Sequence, residues 1–313
     1  MLAARRAHPT VLEVPEPHWY RAWPGTLLVL LGVRLRPARA DRPRAFVATL
    51  AIENLPTAEG LSVRRLGLPG SVAGKLDRVL LAGWSRSVTL LDGVVFGTVA
   101  ARRNWEESLS GPLRGLLTTT IAESLPPCVP CRAGAGGQQG GADVRGDSVL
   151  YLAEFSARKG LPALLAAWPL VAAARPALRL TLMGFGALLA EAEAAADRAD
   201  VQVAVAPLRP QVHAALARAS VVVLPSQRVP GWREQVGLPL LEGLAHDCAV
   251  VTTTESGLAG TLLAAGQQVV APDQPHTLAA AIVRAADQPR RRLHPPDSRE
   301  AVHRWLRAAT SSG

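Results

Sequence analysis

Lysine, cysteine and aromatic residues are scarce in this chain of 313 residues. The only lysines are Lys75 and Lys159, against 32 arginines, so each lysine calls for a chemical explanation. Three cysteines can neither build a disulfide framework nor complete a four-ligand zinc site, and a reducing cytosol fits them best. The longest apolar run near the N-terminus, Thr26 to Leu31, is too short for a membrane span. We therefore expect a cytoplasmic protein, with any contact to the inner face of the plasma membrane being peripheral.

Metal-ligand patterns are also lacking. Cys128 and Cys131 form a Cys-x-x-Cys, but it lies in a Pro-rich stretch rather than at a helix start after a strand, which disfavours a redox or metal function. No Asp-x-Asp occurs, so a metal-bridged diphosphate has no obvious ligands. Five histidines show no metal-ligand spacing and are expected to be structural: His213, His246, His276, His294 and His303.

Positive charge is unevenly distributed. Residues 148–288 carry 10 basic and 11 acidic side chains, so they contribute −1 to the net charge of +9 and the positive charge lies outside them. Eleven consecutive residues contain the arginines Arg34, Arg36, Arg39, Arg42 and Arg44. This cluster could hold anionic lipid headgroups or form a solvated surface. Nucleic acid is disfavoured, because aromatic residues do not interleave with the arginines and no nucleic-acid module is recognisable.

A Gly- and Gln-rich stretch divides the chain. We interpret residues 132–147 as a linker between a first domain, 1–131, and a second, 148–288, followed by a basic tail with a helix, 289–313. In the second domain, six short apolar runs alternate with Ala/Leu-rich stretches, which predicts a parallel sheet covered on both faces. The predicted strands are Val149–Ala153, Leu178–Met183, Val201–Val205, Val221–Leu224, Ala249–Thr252 and Val269–Ala271.

The first domain shows fewer such units. Its predicted strands are Val11–Val14, Ala45–Ile52, Val88–Phe96 and Leu116–Ile121, with helices at 71–84 and 99–108. This is about half of a doubly wound domain, so we expect a domain that lacks its beginning.

Two glutamates mark the loop and helix that follow the strand Val221–Leu224. Seven residues separate Glu234 from Glu242. Gly237 allows close approach of a ligand to the backbone, and Pro239 suits the first turn of a helix. Helix N-terminal amides favour an anion such as a diphosphate, which carboxylates would repel. The glutamates are therefore expected to bind hydroxyl groups, with Glu234 on a sugar and Glu242 on a ribose.

A positive partner for such a diphosphate follows the first strand of the second domain. The sequence Arg158-Lys159-Gly160 supplies a compact ammonium group and a glycine that lets the next helix start close by. Together with the absence of Asp-x-Asp, this predicts a donor site that needs neither a metal nor another cofactor.

These motifs resemble the retaining GT-B glycosyltransferases of the family-4 type, also called group 1 glycosyltransferases, over most of 148–288. The resemblance implies two Rossmann-like domains facing a cleft. It assigns Lys159 to the diphosphate, Glu234 to the transferred sugar and Glu242 to the ribose. The implied donor-binding residues are Arg158, Lys159, Glu234, Gln235, Val236, Gly237, Leu238 and Glu242, and the implied catalytic residues are Lys159 and Glu234.

The chain departs from the family pattern at two places. Glu154 stands where the family usually has an arginine, for which Arg158 could substitute. In the first domain, Glu13 and Pro15 stand where many relatives have histidines, and His18 is either a displaced partner or a surface residue. A third motif, Gly184-x-Gly186, invites a dinucleotide interpretation but more simply turns the chain at the nucleotide cleft.

The sequence thus predicts a hexosyltransferase-type glycosyltransferase that moves a sugar from a nucleotide-diphosphate sugar to a glycan, lipid or small-molecule acceptor held by the first domain. One alternative is a catalytically inactive or truncated nucleotide-sugar-binding protein. A further alternative is a basic peripheral membrane or nucleic-acid binder.

Overall fold

The computed structural model describes residues 11–16, 23–35, 44–60, 69–109, 113, 115–129, 147–288 and 297–311. Contacts divide the chain into two compact units. The first unit comprises Met1–Ala122 with Ser298–Gly313, and the second comprises Glu123–Asp297. Most of the predicted linker 132–147, Cys131, His18 and His294 lie outside the described residues.

The first unit is built on a parallel sheet of four strands in the order β1-β2-β3-β4. The strands are β1 (Val11–Val14), β2 (Phe46–Ala51), β3 (Gly93–Phe96) and β4 (Leu117–Thr120). The helices are α1 (Trp23–Arg34), α2 (Thr57–Gly60), α3 (Gly70–Val88) and α4 (Val99–Ser108). In its core Trp105 makes edge contacts with both Trp84 and Phe96, whose ring centroids lie 5.5 and 5.6 Å away.

Two segments of the first unit differ from the sequence-based prediction. Val88 was expected in a strand, but it ends α3, because Trp84 and Val88 are one turn apart and both are buried in the core. The apolar run from Thr26 to Leu31 was assigned no element, and it lies within α1. Among the described residues, no helix combines the length and the apolar character needed to cross a bilayer.

The arginine cluster is only partly described. The Arg34 side chain is 14% exposed; it pairs with Asp92 at 2.9 Å and donates to the Leu90 carbonyl at 2.8 Å. Asp92 also accepts from the backbone N–H of Val47 at 2.7 Å. Arg34 therefore holds the loop before β3 in place. Arg36, Arg39 and Arg42 lie outside the described residues.

The second unit contains a parallel sheet of six strands in the order β10-β9-β8-β5-β6-β7. The strands are β5 (Ser148–Leu152), β6 (Arg179–Gly184), β7 (Val201–Val205), β8 (Val221–Leu224), β9 (Ala249–Thr253) and β10 (Gln268–Val270). The helices are α5 (Leu161–Ala174), α6 (Leu189–Ala195), α7 (Arg209–Arg218), α8 (Leu238–Ala245), α9 (Ala259–Ala264) and α10 (Pro275–Asp287). A single 3-10 turn, Ala157–Lys159, precedes α5.

The strand order places the centre of the second sheet between β5 and β8. From β5 the chain adds β6 and β7 on one side, and from β8 it adds β9 and β10 on the other. All four residues of β8 are buried, as expected for a strand covered by helices on both faces. Such a reversal of strand order opens a crevice at the carboxyl ends of the two central strands, where doubly wound proteins bind ligands.

The last helix, α11 (Ser298–Ser311), belongs to the first unit. Its Trp305 ring meets Phe46 of β2 edge to face, with 6.3 Å between the ring centroids. A Cβ on Gly93 would lie 2.8 Å from Trp305, so this glycine gives the indole room beside β3.

Candidate functional site

The loops after β5 and β8 meet at the carboxyl edge of the second sheet. Gly160 has a φ of 77°, and a Cβ there would lie 1.8 Å from the Pro225 carbonyl oxygen. The backbone N–H of Gln227 donates to the Arg158 carbonyl at 2.9 Å. Only glycine permits this approach, because the conformation is left-handed and backbone occupies the space of a side chain. Gly160 thus holds the Lys159 loop against the loop after β8.

Lys159 and Glu234 form an ion pair across these loops. The Nζ of Lys159 lies 2.6 Å from Oε2 of Glu234, although the two residues are 75 positions apart in the sequence. The hydroxyl of Ser226 donates to the same oxygen at 2.9 Å. Both side chains are largely buried, with exposures of 17% and 9%. An ammonium group has three donors, so Lys159 can keep this bond and still donate to a ligand.

The Trp232 ring lies beside two cations. The Arg158 guanidinium carbon is 4.7 Å from the ring centroid and the Lys159 Nζ is 5.0 Å from it. Arg158 also pairs with the Glu154 carboxylate. This pair fixes the direction of the Arg158 guanidinium, which lies beside the Trp232 ring.

The Tyr151 hydroxyl is hydrogen-bonded to the backbone of the loop that carries Arg158 and Lys159. It donates to the Glu154 carbonyl at 2.8 Å, which fixes the end of β5. Burial, with smaller contributions from the Glu154 and Glu234 carboxylates, raises the pKa of the Tyr151 hydroxyl above its ordinary value. The hydroxyl is therefore a neutral hydrogen-bond donor at physiological pH.

The start of α8 follows this loop. Gly237, the residue before α8, has a φ of 77°, and Pro239 occupies the first turn. The backbone of Glu234 forms an isolated parallel β-bridge with that of Ser256. The Glu234 carbonyl accepts a hydrogen bond from the Gly257 N–H at 2.9 Å. These bonds fix Gln235, Val236 and Gly237 directly ahead of the helix. Leu238 begins α8 and is 56% exposed.

Glu242 lies in the second turn of α8 and pairs with a residue that the sequence did not single out. Nη1 of Arg209 is 2.7 Å from Oε1 of Glu242. The Glu242 side chain is 11% exposed, whereas that of Arg209 is 79% exposed. Arg209 begins α7, and its only signal in the sequence is that it is a basic residue shortly after the predicted strand Val201–Val205. The other oxygen of Glu242 can accept further hydrogen bonds.

Two further contacts complete this edge. A Cβ on Gly184 would lie 1.9 Å from the Ala153 carbonyl oxygen, and one on Gly186 would lie 2.5 Å from that of Phe155. The Gly-x-Gly therefore lets the chain turn closely over the loop after β5. Arg233 donates to Glu255 at 2.8 Å and fixes the loop after β9, a role that the sequence analysis also missed.

Three residues that lie far apart in the sequence meet at the other end of α8. Cys128, His213 and His246 each offer a ligand atom, and these atoms lie within 4.8 Å of one another. The two histidines were expected to be structural because no motif links them in the sequence. Spacing could not reveal the cluster, since Cys128 and His213 are 85 residues apart.

Comparisons with known proteins agree with the fold and the motifs. Residues 146–288 match the model of the family described as glycosyl transferases group 1. A search of curated protein sequences gives no match. Many solved structures are similar, and three are described below.

An alpha,alpha-trehalose-phosphate synthase (UDP-forming) from Burkholderia vietnamiensis is 16% identical, with a TM-score of 0.58 over 95% of this chain and 81% of that one. The sucrose-phosphate synthase of Thermosynechococcus elongatus is 18% identical, with a TM-score of 0.59 over 99% of this chain and 73% of that one. TarM of S. aureus is 13% identical, with a TM-score of 0.54 over 87% of this chain and 52% of that one.

These structures have the GT-B fold, so the predicted α/β architecture of two Rossmann-like units is confirmed. The predicted resemblance to group 1 glycosyltransferases is also confirmed, over residues 146–288, which nearly coincide with the predicted 148–288. Residues 146–288 therefore match the group 1 glycosyltransferase family, within a chain that has a GT-B type fold.

Proposed function

We propose that this protein transfers a hexose from a nucleoside-diphosphate sugar to a hydroxyl group of a sugar-like acceptor, with retention of configuration and without a metal at the diphosphate. The observation that carries the proposal is the Lys159–Glu234 pair, which joins the loops after the two central strands of the second sheet. A cation and an acceptor for hydroxyls lie side by side there, at the place where a doubly wound sheet binds its ligand.

Lys159 is proposed to bind the diphosphate. A point charge with free donor capacity stabilises the negative charge that grows on the leaving oxygens as the bond to the sugar breaks. Arg158 adds a second cation over the same Trp232 ring. The backbone of Gln235, Val236, Gly237 and Leu238 presents the start of α8, whose dipole favours an anion.

Glu234 is proposed to accept hydrogen bonds from hydroxyls of the transferred sugar. Its Oε2 accepts hydrogen bonds from Lys159 and Ser226, which fixes the direction of the carboxylate. A carboxylate held in this way discriminates between sugars by the positions of their hydroxyls, because each charged hydrogen bond contributes about 1.5–3 kcal/mol.

Glu242 is proposed to accept from the ribose hydroxyls. It is 9% exposed as a residue and is bonded by Arg209 through one oxygen. In the reaction the bond between sugar and diphosphate breaks, the acceptor oxygen bonds to the same face of the sugar, and the leaving diphosphate takes the acceptor proton. Nucleoside diphosphate and the glycoside are the products.

Similar structures support the choice of ligands. The TarM structure contains UDP, and a trehalose-phosphate synthase from Burkholderia xenovorans was solved with glucose-6-phosphate. By analogy, a uridine donor and a sugar-type acceptor are the first to test here.

Binding of the donor without transfer is the second candidate function. It is favoured by Glu13 and Pro15, whose side chains are exposed where many family members have histidines. The protein would then bind the donor and leave it intact.

Calorimetric titration with UDP-, ADP- and GDP-sugars tests donor binding. We expect one class of donor to bind with a Kd below the millimolar range, and Lys159→Ala or Glu242→Ala to weaken it about 10-fold or more. Lys75→Ala is the matched control, because Lys75 is exposed on α3 of the first unit. The proposal fails if no donor binds, or if Lys159→Ala binds as tightly as the wild type.

Slow hydrolysis of the donor, followed by NMR, tests turnover and stereochemistry. From an α-linked donor we expect the α-anomer of the free sugar to form first, at a rate that added Mg²⁺ does not raise. Release of the β-anomer would contradict retention. Donor binding with no release of sugar and no transfer to any sugar acceptor would favour the second candidate.

A further inference from the structure

A compact group of soft and borderline ligands lies in the second unit. The Sγ of Cys128 is 3.2 Å from Nε2 of His213, and the rings of His213 and His246 have centroids 5.2 Å apart. One ligand atom from each of the three residues lies within 4.8 Å of the other two. Cys128 and His213 are partly buried and His246 is 8% exposed.

Helices α7 and α8 place two pairs of side chains next to each other, and the two histidines are the second pair. Arg209 and His213 are four residues apart at the start of α7, and Glu242 on α8 is four residues before His246, which directly follows that helix. Residues at this spacing share a helix face. The Arg209–Glu242 pair therefore forms one layer, and the two histidines form the next layer, one turn away.

Backbone contacts bring the cysteine to this layer. The N–H of Cys128 donates to the carbonyl of Ala245, the last residue of α8, at 2.8 Å. Leu125 packs into the hydrophobic cluster formed by α7, α8 and the strands beneath them. Residues 123–129 are thus fixed against the end of α8, which gives the thiol a definite position.

His246 has the hydrogen bond that a metal-bound histidine needs. Its Nδ1 lies 2.8 Å from the Glu242 carbonyl oxygen. A carbonyl only accepts, so Nδ1 carries the proton and the lone pair of the neutral ring is on Nε2. Histidines that bind metals almost always donate their other N–H to a carbonyl or carboxylate in this way.

We propose that Cys128, His213 and His246 bind one divalent transition-metal ion of the Zn²⁺ class. Thiolate and imidazole are the ligands that Zn²⁺ prefers, at about 2.3 Å for sulfur and 2.0–2.1 Å for nitrogen. Around a tetrahedral ion those lengths separate the ligand atoms by roughly 3.3–3.6 Å. The observed spacings, 3.2 Å for one pair and at most 4.8 Å for all, need only small rotations of the side chains.

A thiol–imidazole pair acting without a metal explains less. It would use Cys128 and His213 alone, whereas the structure adds a second imidazole whose lone pair is fixed on the ligand-bearing nitrogen. The ion would tie residues 123–129 to α7 and α8, one turn from Glu242. This role is structural and separate from the diphosphate, so it stands whether or not the protein transfers sugars.

Titration of the full chain with Co²⁺, after treatment with a chelator, tests the proposal. We expect one Co²⁺ per chain, the near-ultraviolet absorption of a thiolate–cobalt bond, and its displacement by Zn²⁺. Cys128→Ser should abolish this absorption. Cys128→Ser, His213→Ala and His246→Ala should each weaken Zn²⁺ binding by more than about 100-fold, because even changes outside the ligand set cost 10–100-fold.

Two variants serve as matched controls. Cys248 is a buried cysteine whose thiol donates to the carbonyls of Leu216 and Ala219, and serine can keep those bonds. His276 is exposed at the start of α10. Cys248→Ser and His276→Ala should bind Zn²⁺ as the wild type does. Cys131 lies outside the described residues and is left unchanged in every variant.

X-ray absorption at the zinc edge of the wild-type protein keeps the test independent of variants that fold poorly. We expect sulfur and two imidazoles among the ligands. The proposal is overturned if the chain binds no Co²⁺ or Zn²⁺ more tightly than millimolar. It is also overturned if the thiolate absorption survives in Cys128→Ser, or if the zinc spectrum contains no sulfur.

Discussion

The two units use the carboxyl edge of a parallel sheet differently. In the second unit, the carboxylates there are paired with cationic side chains, as Lys159 with Glu234 and Arg209 with Glu242. In the first unit, the corresponding carboxylate is Glu16, after β1. It accepts from the backbone N–H groups of Ile52 and Glu53 at 2.9 and 3.1 Å, and from the Trp105 indole at 3.1 Å.

This difference separates a structural use of charge from a ligand-binding one. Glu16 joins the loop after β2 to β1 and α4, because its carboxylate accepts from donors in that loop and in α4. A ligand could bind to this carboxylate only by breaking these hydrogen bonds and opening the loop. Lys159 keeps donors to spare, and Glu242 has a second oxygen, so both can take a ligand without breaking a structural bond. We therefore propose that this edge of the sheet has a structural role in the first unit and binds the ligand in the second.

The largest effect is expected at Gly160. Gly160→Ala places a Cβ within 1.8 Å of the Pro225 carbonyl oxygen at a left-handed φ, so we expect a loss of at least about 3 kcal/mol of unfolding free energy and loss of donor binding. Gly115, with a φ of 90° and open space around it, is the control. Gly115→Ala should cost only about 1–2 kcal/mol. Urea unfolding measures the stability of both variants. Equal losses of unfolding free energy would mean that the close contact between Gly160 and the Pro225 carbonyl is unimportant.

Glu16→Ala tests the clamp in the first unit. We expect about 2 kcal/mol less protection of the β2 amides against hydrogen exchange, because three donors lose a charged acceptor. Glu13→Ala, on the exposed side of β1, should change protection by less than about 0.5 kcal/mol. Donor binding should be unaffected by both variants. A strong loss of donor binding in Glu16→Ala alone would show that Glu16 contacts ligand.

Trp232→Leu should weaken binding of the nucleotide sugar by about 5-fold, since cation–π contacts at part-exposed sites contribute about 0.5–1 kcal/mol each. In this variant no ring holds Arg158 and Lys159 in place for the diphosphate. Trp305→Leu, in the first unit, is the control. Calorimetric Kd values measure both, and an unchanged Kd in Trp232→Leu would remove the ring from the site.

The smallest effect concerns Asp200, which serves structure in the second unit as Glu16 does in the first. Hydrogen bonds from Arg198 and then Trp168 lower the pKa of the Asp200 carboxyl. A pKa that is lower in the folded state stabilises the fold above the unfolded pKa, and this stability is lost as the pH falls below about 4. The stability difference between wild type and Asp200→Asn should therefore narrow in acid. Urea unfolding at a series of pH values measures this difference, and curves for wild type and Asp200→Asn that stay parallel into acid would contradict the assignment.

The sheet of the second unit could be predicted because its central strands, β5, β8 and β9, are buried on both faces. Such strands are short runs of apolar residues, as in Val221–Leu224, and they stand out between Ala-rich helices. In the first unit the same rule failed at Val88, where a β-branched residue ends a helix because Trp84 and Val88 share its buried face. Apolar composition alone cannot distinguish those two environments.

The motifs of the site were visible where function concentrates them in short segments. Lys159-Gly160 and the Glu234–Glu242 spacing could be read directly from the sequence. The partners of these residues could not, because Arg209 and Glu242 are 33 positions apart and their contact depends on how α7 packs against α8. The Cys128, His213 and His246 cluster was missed for the same reason, since Cys128 and His213 are 85 positions apart and meet only through the packing at the end of α8.

A titration series with parts of the donor tests the central claim most directly. Uridine, UDP and the complete sugar nucleotide would each be titrated into wild type, Lys159→Ala, Glu234→Ala and Glu242→Ala. The account predicts that Glu242→Ala weakens every ligand that contains ribose and that Lys159→Ala weakens only those with the diphosphate. Glu234→Ala should weaken only the complete donor. Equal losses for all three ligands in all three variants, or UDP binding unchanged in Lys159→Ala, would contradict it.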